Sequence, residues 1–153
     1  MSITSAYFKA ESILSIDLDW SALLILKENI QKLGLQYIIS PLCADIRNVQ
    51  LSRNLLPVNL KITTIMNPPF GVQTKTADRS FLVKAFSFSD VIYSIHLSNK
   101  KTRIFFADYV RKFKWRIDNI IPFNMVLENT FPFHNQKTKK IEVDLYRFLK
   151  GTK

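Results

Sequence analysis

The sequence predicts an α/β fold, with a mostly parallel β-sheet that ends in an antiparallel C-terminal hairpin. Short apolar runs alternate with segments of helical periodicity, which is typical of βα units and a parallel sheet. The last two apolar runs are long and follow one another with only a loop between them. The 153 residues fall within the size of one domain, and no linker or repeat divides them. We therefore expect residues 1–153 to form a single domain.

The first part of the chain predicts two strands with a helix between them. These elements lie at residues 12–17, 20–33 and 36–43. Asp19 or Ser21 can cap the start of the helix, and Gly34 is a natural stop at its end. Pro41 cannot donate a ladder hydrogen bond, so it favours an edge position for the second strand. Residues 46–60 have no clear period and predict a loop or a short helix.

The rest of the chain predicts a strand, a helix, a strand, a helix and two long strands. They lie at residues 61–66, 78–89, 90–97, 104–110, 115–127 and 140–149. The last strand alternates in character, which predicts one buried and one exposed face. The side chains expected on the buried face are Ile141, Val143 and Leu145, and those expected on the exposed face are Glu142, Asp144 and Tyr146.

The composition excludes several classes of protein. Hydrophobic residues make up 47% of the chain and charged residues 22%, which is enough for one core and excludes a disordered tail or a collagen-like fibre. Cys43 is the only cysteine, so no internal disulfide can form and a reducing cytoplasm is expected. The sequence has no apolar run long enough for a membrane span and no recognisable signal peptide.

The positive charge is concentrated in the second part of the chain. Residues 1–60 carry five basic and five acidic side chains, whereas residues 61–153 carry 17 basic and seven acidic ones and therefore the whole net charge of +10. Such asymmetry favours RNA or DNA as a partner over a membrane surface. A solvated lysine-rich surface is the alternative. The candidate phosphate-binding residues are Lys100, Lys101, Arg103, Lys137, Lys139 and Lys140.

The most specific motif is Asn67-Pro68-Pro69-Phe70, which follows directly on the apolar strand at 61–66. Ligands of open α/β sheets bind at the carboxyl ends of the strands, where this motif lies. The alternative is a Pro-Pro turn that merely ends the strand. Consecutive prolines fix φ, so the loop loses little entropy when it becomes ordered.

This tetrapeptide suits methylation of an exocyclic amine. The N6 amine of adenine is a poor nucleophile because its lone pair is delocalised into the ring. The Asn67 carboxamide oxygen and the Pro68 carbonyl can accept its N–H groups and direct the lone pair at a methyl donor. Phe70 can stack on a base extruded from its helix. Positioning carries this mechanism, and no strongly shifted pKa is required.

Five stretches together resemble a known family. They are LSIDLDWSALLILKENI (14–30), CADI (43–46), IMNPPFG (65–71), VIYSIHLS (91–98) and FHNQKTKKIEVDLYRF (133–148). The third resembles motif IV of class I S-adenosylmethionine-dependent amino-methyltransferases. The whole series resembles the methyltransferase-like-five family, which methylates the adenine N6 of ribosomal RNA. The resemblance implies a Rossmann-like sheet of strand order 3-2-1-4-5-7-6, S-adenosylmethionine as cofactor and RNA as substrate.

The resemblance also assigns roles to single residues. Asp17 matches the acid that accepts the cofactor's ribose hydroxyls, and Asp45 with Ile46 matches the site for its adenine. Residues 67–70 match the catalytic, base-gripping loop. Taken alone, an Asp after a strand is often a helix cap or turn residue. The resemblance assigns no catalytic role to His96 or His134, and one cysteine with two distant histidines predicts no metal site.

Family members of this type are supported by a small zinc-binding activator protein. In the family's sheet order, the strand at 36–43 lies at an edge, where a partner's strand can pair with it. The resemblance therefore implies this strand as the candidate docking edge for such a partner.

One expected part of the fold is not found in the sequence. The family's sheet opens with a strand and a glycine-rich loop that holds the methionine part of the cofactor. The chain contains only Gly34, Gly71 and Gly151 and no Gly-x-Gly, and residues 2–10 resemble the helix that follows this loop. We therefore expect an N-terminally incomplete domain whose central strand, between those at 12–17 and 61–66, is missing. A late start codon, a gene fragment and a non-catalytic relative would each explain it.

Two other functions stay open at this point. One is a non-catalytic RNA-binding relative, which S-adenosylmethionine binding would distinguish. The other is a protein-glutamine methyltransferase, which uses the same amide chemistry. That family favours Tyr at the fourth position of the motif, so Phe70 and the basic second part of the chain favour a nucleic-acid base.

Overall fold

A computed structural model of the protein describes residues 1–70, 77–128 and 138–151. The chain divides into two compact units, which we call the N-terminal unit (residues 1–51) and the C-terminal unit (residues 52–153). Each unit contains its own β-sheet. The single domain expected for the chain stays a prediction.

The N-terminal unit is a parallel pair of strands with two helices. Its elements are α1 (Ser2–Tyr7), β1 (Ile13–Asp17), α2 (Trp20–Lys32) and β2 (Ile39–Cys43). The register runs from Ile13 opposite Ile39 to Asp17 opposite Cys43. Leu23 and Ile30 of α2 are buried, as is Ile39 of β2. The predicted strand–helix–strand order is confirmed, although β2 starts three residues later than expected.

Local signals determine where α2 begins and ends. Asp19 is the N-cap, and its carboxylate accepts hydrogen bonds from the N–H groups of Ser21 (2.8 Å) and Ala22 (3.4 Å). Gly34 follows the helix with φ +68°, a left-handed conformation that glycine adopts without strain. Of the two cap residues considered, Asp19 therefore has the role, and the predicted stop at Gly34 is confirmed.

The C-terminal unit contains a four-stranded sheet and two helices. Its elements are a 3₁₀ turn (Arg53–Leu55), β3 (Thr63–Met66), α3 (Ala77–Phe88), β4 (Val91–Leu97), α4 (Lys100–Tyr109), a second 3₁₀ turn (Val110–Phe113), β5 (Trp115–Glu128) and β6 (Thr138–Lys150). All six predicted elements of this part of the chain are confirmed. The first 3₁₀ turn lies in the stretch predicted as loop or short helix.

The order of the strands agrees with the expected sheet. β1 pairs with β2, and the C-terminal unit has the order β3-β4-β6-β5, in which only the β3–β4 pair is parallel. In the family's strand numbering, β2 and β1 are strands 3 and 2, and β3, β4, β6 and β5 are strands 4, 5, 7 and 6. The neighbouring strands in both sheets are therefore those predicted. Within the described ranges, no strand pairs with the second edge of β1 or of β3. The α/β class with an antiparallel C-terminal hairpin is confirmed.

A largely aromatic core lies between the sheet and the helices of the C-terminal unit. Its buried members are Leu82, Ala85, Phe86, Ile92, Phe106, Val110, Trp115, Tyr146 and Phe148. The rings of Tyr146 and Phe148 stack at 5.4 Å, and the edge of each meets Phe106.

The carboxylate of Asp90 accepts a hydrogen bond from the Ile62 N–H at 2.8 Å, which fixes the chain just before β3.

The prediction for the faces of β6 was wrong for most of its residues, although Glu142 is exposed as expected. Asp144 and Tyr146, expected to be exposed, have no exposed surface, whereas Ile141 and Leu145 are only partly buried. Val143 is buried as expected. The side chains of β6 do alternate, but the face with Asp144, Tyr146 and Phe148 is the one that packs on the core. Arg103 of α4 neutralises the charge of Asp144 and so makes its burial feasible.

Candidate active site

The Asn67-Pro68-Pro69-Phe70 loop begins where β3 ends. Met66, the last residue of β3, is opposite Ser94 in the parallel β3–β4 pair, so the loop leaves the carboxyl edge of this sheet. The side chain of Asn67 is exposed and that of Pro68 is buried, while Phe70 is half-buried. The buried proline anchors the loop, and the Asn67 amide remains available to a substrate.

The predicted cofactor residues lie at the carboxyl edge of the N-terminal unit. Asp17 ends β1 opposite Cys43, which ends β2, and the Ala44 N–H donates to the Asp17 carbonyl at 2.9 Å. Oδ1 of Asp17 accepts a hydrogen bond from the Asp19 N–H at 3.0 Å, and the side chain is exposed. Asp17 and Asp45 are therefore brought to the same edge of one parallel strand pair.

Asp45 has a partner that the sequence analysis did not include. Nε of Arg47 donates to both carboxylate oxygens of Asp45 at 2.9 Å, and the Arg47 backbone N–H donates to Oδ1 at the same distance. The side-chain bonds, followed by the backbone bond, lower the pKa of Asp45 to about 2. The carboxylate is therefore ionised at neutral pH. Ile46 beside it is half-buried.

Several basic residues lie at the same edge of the C-terminal unit as Asn67. Lys100 and Lys101 open α4, three residues after β4 ends, and both are exposed. Because β6 runs antiparallel to β4, with Val143 opposite Leu97, exposed Lys140 also lies toward this edge. Lys137 lies outside the described residues, as does the side chain of Lys139.

Known proteins similar to this chain identify its family. The uncharacterized protein MJ0284 of Methanocaldococcus jannaschii is 35% identical over 98% of this chain and 68% of its own length. The rRNA N(6)-adenosine-methyltransferase METTL5 of Danio rerio is 29% identical over 97% of this chain and 69% of its own length. The chain belongs to the METTL5-like family of class I methyltransferases.

A solved structure agrees with this assignment. The crystal structure of PH1948 from Pyrococcus horikoshii, a candidate RNA methyltransferase, matches with a TM-score of 0.78 and 32% identity. The match covers 94% of this chain and 65% of that one, so the chain spans just under two thirds of PH1948. No protein-family model matches the chain.

The structure reveals an ion pair in this METTL5-like chain that the sequence analysis missed. Arg103 donates from Nε to Asp144 Oδ2 at 2.8 Å and from Nη2 to Oδ1 at 2.7 Å, so the two side chains form a bidentate pair. Asp144 has no exposed surface, and the hydrogen bonds from Arg103 lower its pKa although burial opposes this. The two residues are 41 positions apart, which no local pattern connects.

This ion pair gives Arg103 a structural role beside the one expected for it. Its guanidinium was a candidate ligand for RNA phosphate, but it is engaged by a buried carboxylate and donates further to Ser98 Oγ at 3.2 Å. The ion pair assigns Arg103 to the packing of α4 on β6. Its side chain is also 45% exposed, and its contact with a phosphate stays a prediction.

A second missed group surrounds His96. Its ring is buried on β4 and contacts the side chains of Ser94 and Asp78. The only sequence signal for His96 was its place in the family-like stretch 91–98. Asp78 carried no signal apart from its position at the start of a predicted helix.

The described residues contain no metal-binding cluster. Across residues 1–70, 77–128 and 138–151, no group of three or more His, Cys, Asp or Glu side chains is arranged to hold a metal ion. In the same ranges, no helix combines the length and apolar character needed to cross a membrane.

We expect Asp144→Asn to make the free energy of unfolding depend less on pH in the acid range. The folded pKa of Asp144 lies below its unfolded value, so its charge stabilises the fold above that unfolded value, and this contribution is lost as the pH falls through the folded pKa. The free energy of unfolding in urea, measured at steps from about pH 7 to pH 2, should therefore fall less steeply in the variant below about pH 4. Asp108→Asn, at an exposed position of α4, is the control and should follow the wild type. Equal slopes for wild type and Asp144→Asn would contradict this reading of the ion pair.

Proposed function

We propose that this protein transfers a methyl group from S-adenosylmethionine to the N6 amine of an adenine in ribosomal RNA. The observation that carries the proposal is the Asn67–Phe70 loop at the carboxyl end of β3, with an exposed amide next to a buried proline, in a chain of the METTL5-like family. The relative named as an rRNA N(6)-adenosine-methyltransferase supports adenine N6 as the acceptor.

The loop would act by positioning the acceptor amine. The Asn67 side-chain oxygen and the Pro68 carbonyl accept the two N6–H bonds and turn the nitrogen lone pair away from the ring. Phe70 stacks on the adenine, which has left its helix to reach the loop. An N–CH₃ bond forms, the bond between the methyl group and sulfur breaks, and one N6 proton passes to solvent. Correct orientation of the two reacting atoms is the main contribution of such a site.

Residues of the N-terminal unit would hold the cofactor, which supplies an electrophilic methyl group when bound. Asp17 has an exposed carboxylate at the carboxyl end of a parallel strand, the location and chemistry that suit two ribose hydroxyls. Half-buried Ile46 offers an apolar contact for the adenine ring, and ionised Asp45 offers an acceptor for its amine. Arg47 shares this acceptor through its ion pair and keeps the Asp45 side chain in one orientation.

The RNA backbone would contact the basic side chains at the Asn67 edge. Lys100, Lys101 and Lys140 are exposed there, and each carries a compact charge that suits a phosphate oxygen. Lys137 and Lys139 belong to the same proposed set on sequence grounds. The choice of RNA over protein-glutamine as substrate rests on this charge and on Phe70.

A small zinc-binding activator protein would pair with the free edge of β2. Among the described residues β2 pairs only with β1, and the edge strand contains Pro41. A partner's strand added there would satisfy the remaining backbone groups of β2. Gel filtration of the mixed proteins tests this pairing, and a single peak containing both chains is the expected result.

We expect Asn67→Ala to lower kcat for N6 methylation on the order of 100-fold or more, because one of two oriented acceptors is removed. RNA binding should change by less than about twofold, since base positioning and not phosphate contact is altered. Mass spectrometry of N6-methyladenosine in ribosomal RNA measures the product. Asn59→Ala, at an exposed asparagine of the same unit, is the matched control and should behave as wild type. Full activity in Asn67→Ala would refute the mechanism.

The proposed phosphate ligands make a separate prediction. The double substitution Lys100→Gln/Lys101→Gln should reduce the slope of log K against log salt by about 0.7 to 0.9 for each phosphate that a lysine no longer neutralises. Lys112→Gln/Lys114→Gln removes the same charge next to Trp115, whose partner Lys150 lies at the opposite edge of the sheet, and should leave the slope unchanged. Fluorescence anisotropy over a salt series provides the measurement. Equal slopes for the two double variants would exclude Lys100 and Lys101 as phosphate ligands.

A further inference from the structure

His96 takes no part in the proposed chemistry, yet it is among the most buried side chains of the C-terminal unit. Only 2% of its surface is exposed. Its ring lies 4.5 Å from that of Phe106 and 5.7 Å from that of Tyr146, in an edge-on arrangement with each. A base or cofactor cannot reach a ring packed in this way, so any influence of His96 on the reaction passes through its neighbours.

Both ring nitrogens of His96 have a polar neighbour. Nε2 lies 2.7 Å from Ser94 Oγ, a hydrogen bond within the buried face of β4. Nδ1 lies 3.6 Å from Asp78 Oδ2, within the range of an ion pair. A carboxylate only accepts, so Nδ1 carries a proton toward Asp78, and in the tautomer protonated at Nδ1 alone Nε2 accepts the Ser94 hydroxyl. His96 is the largest cause of the lowered pKa of Asp78.

These two neighbours lie on either side of the segment that contains the proposed catalytic loop. Ser94 is the register partner of Met66, the residue directly before Asn67. Asp78 lies in the first turn of α3, the helix to which the chain returns after the loop. His96 therefore lies on the strand that pairs with the residue before the loop, Met66, and contacts α3, the helix that follows the loop. The far end of α3 has its own attachment, a 2.6 Å hydrogen bond between Ser89 Oγ and Thr64 Oγ1 of β3.

The charges around His96 favour this arrangement. The cross-strand partner of His96 is Asp144 on β6, but Arg103 of α4 already neutralises that carboxylate. Tyr146 of β6 donates toward Asp144 at 3.5 Å and presents its ring edge to His96. Arg79 of α3, beside Asp78, lies over the Phe105 ring at 4.2 Å. Asp78 is thus the carboxylate on α3 that faces His96.

We propose that His96 is a positioning residue for methyl transfer, which holds the start of α3 through Asp78 against β4, the strand that pairs with the end of β3, and so fixes the Asn67–Phe70 loop. The inference rests on the proposed function as far as the loop's activity is concerned. Asp78 is a positioning residue in the same sense, because neither it nor His96 contacts the reacting atoms.

The test compares variants that remove one contact at a time. Asp78→Ala removes the contact to α3, and His96→Gln removes the donor to Asp78 while an amide can still reach Ser94. Asp78→Asn retains an acceptor oxygen and is the conservative rescue variant. Asp108→Ala, which removes a carboxylate from an exposed position of α4, is the matched control. All are studied as the 153-residue protein, and circular dichroism with thermal melting shows which variants are folded.

We expect kcat for N6 methylation to fall about tenfold or more in Asp78→Ala and His96→Gln, with KM for RNA and S-adenosylmethionine changed less than about twofold. Asp78→Asn should recover most of the activity, and Asp108→Ala should match the wild type. A wild-type kcat in folded Asp78→Ala and His96→Gln, or a fall in kcat that only follows the loss of folded protein, would overturn the proposal.

A second readout does not depend on catalysis. Amide hydrogen exchange at Met66, Asn67 and Phe70 should accelerate about tenfold in Asp78→Ala relative to Asp108→Ala, because the loop loses one of its attachments. Unchanged exchange there would overturn the proposal whatever the activity. If the wild type methylates no adenine, the proposed function fails, while this exchange measurement still decides whether His96 holds the loop.

Discussion

The C-terminal unit depends on the neutralisation of one buried charge. Asp144 lies within β6 with no exposed surface, on the face that also carries Tyr146 and Phe148. An unpaired carboxylate there would cost several kcal/mol or more, whereas a bidentate guanidinium satisfies both of its oxygens. Arg103 supplies that guanidinium from α4, so α4 covers this face of the sheet in one position. That position places Lys100 and Lys101, at the start of α4, at the carboxyl edge of β4.

The same ion pair marks the limit of what the sequence predicts. The strands and helices follow from local periodicity, and Asp19 and Gly34 at the ends of α2 follow from capping rules, so these were predicted well. The faces of β6 were not, because alternation identifies two faces without telling which one packs on the core. Deciding that requires the knowledge that Arg103, 41 residues away, meets Asp144.

The candidate site likewise contains some positions that the sequence predicts and some contacts that it does not. The positions of the Asn67–Phe70 loop and of Asp17 could be predicted because each lies where a strand of its own unit ends, and both stay predictions as site residues. The Asp45–Arg47 ion pair was a local contact, two residues apart, that the sequence analysis did not consider. The contact of His96 with Ser94 is local, but its contacts with Asp78, Phe106 and Tyr146 come from α3, α4 and β6, and only the fold brings these together.

Both units follow one physical rule despite their separate sheets. In each unit a strand ends, and the residues at or just after its end present polar groups at the carboxyl edge of the sheet. Asp17 and Asp45 have this position beside β1 and β2, and Asn67 has it beside β3. The rule explains why the proposed cofactor residues and the proposed catalytic amide are short polar interruptions between apolar runs.

The measurement that tests the account most directly is calorimetric titration of S-adenosylmethionine into the 153-residue protein and into Asp17→Asn. The account predicts saturable binding by the wild type, weakened about tenfold or more in Asp17→Asn, because hydrogen bonds from the ribose to a charged acceptor are replaced by weaker ones. Asp19→Asn is the control, since asparagine caps a helix as well as aspartate does, and its affinity should stay near that of the wild type. Absence of binding by the folded wild type, or equal binding by Asp17→Asn, would contradict the claim that this protein is an S-adenosylmethionine-dependent methyltransferase with Asp17 in its cofactor site.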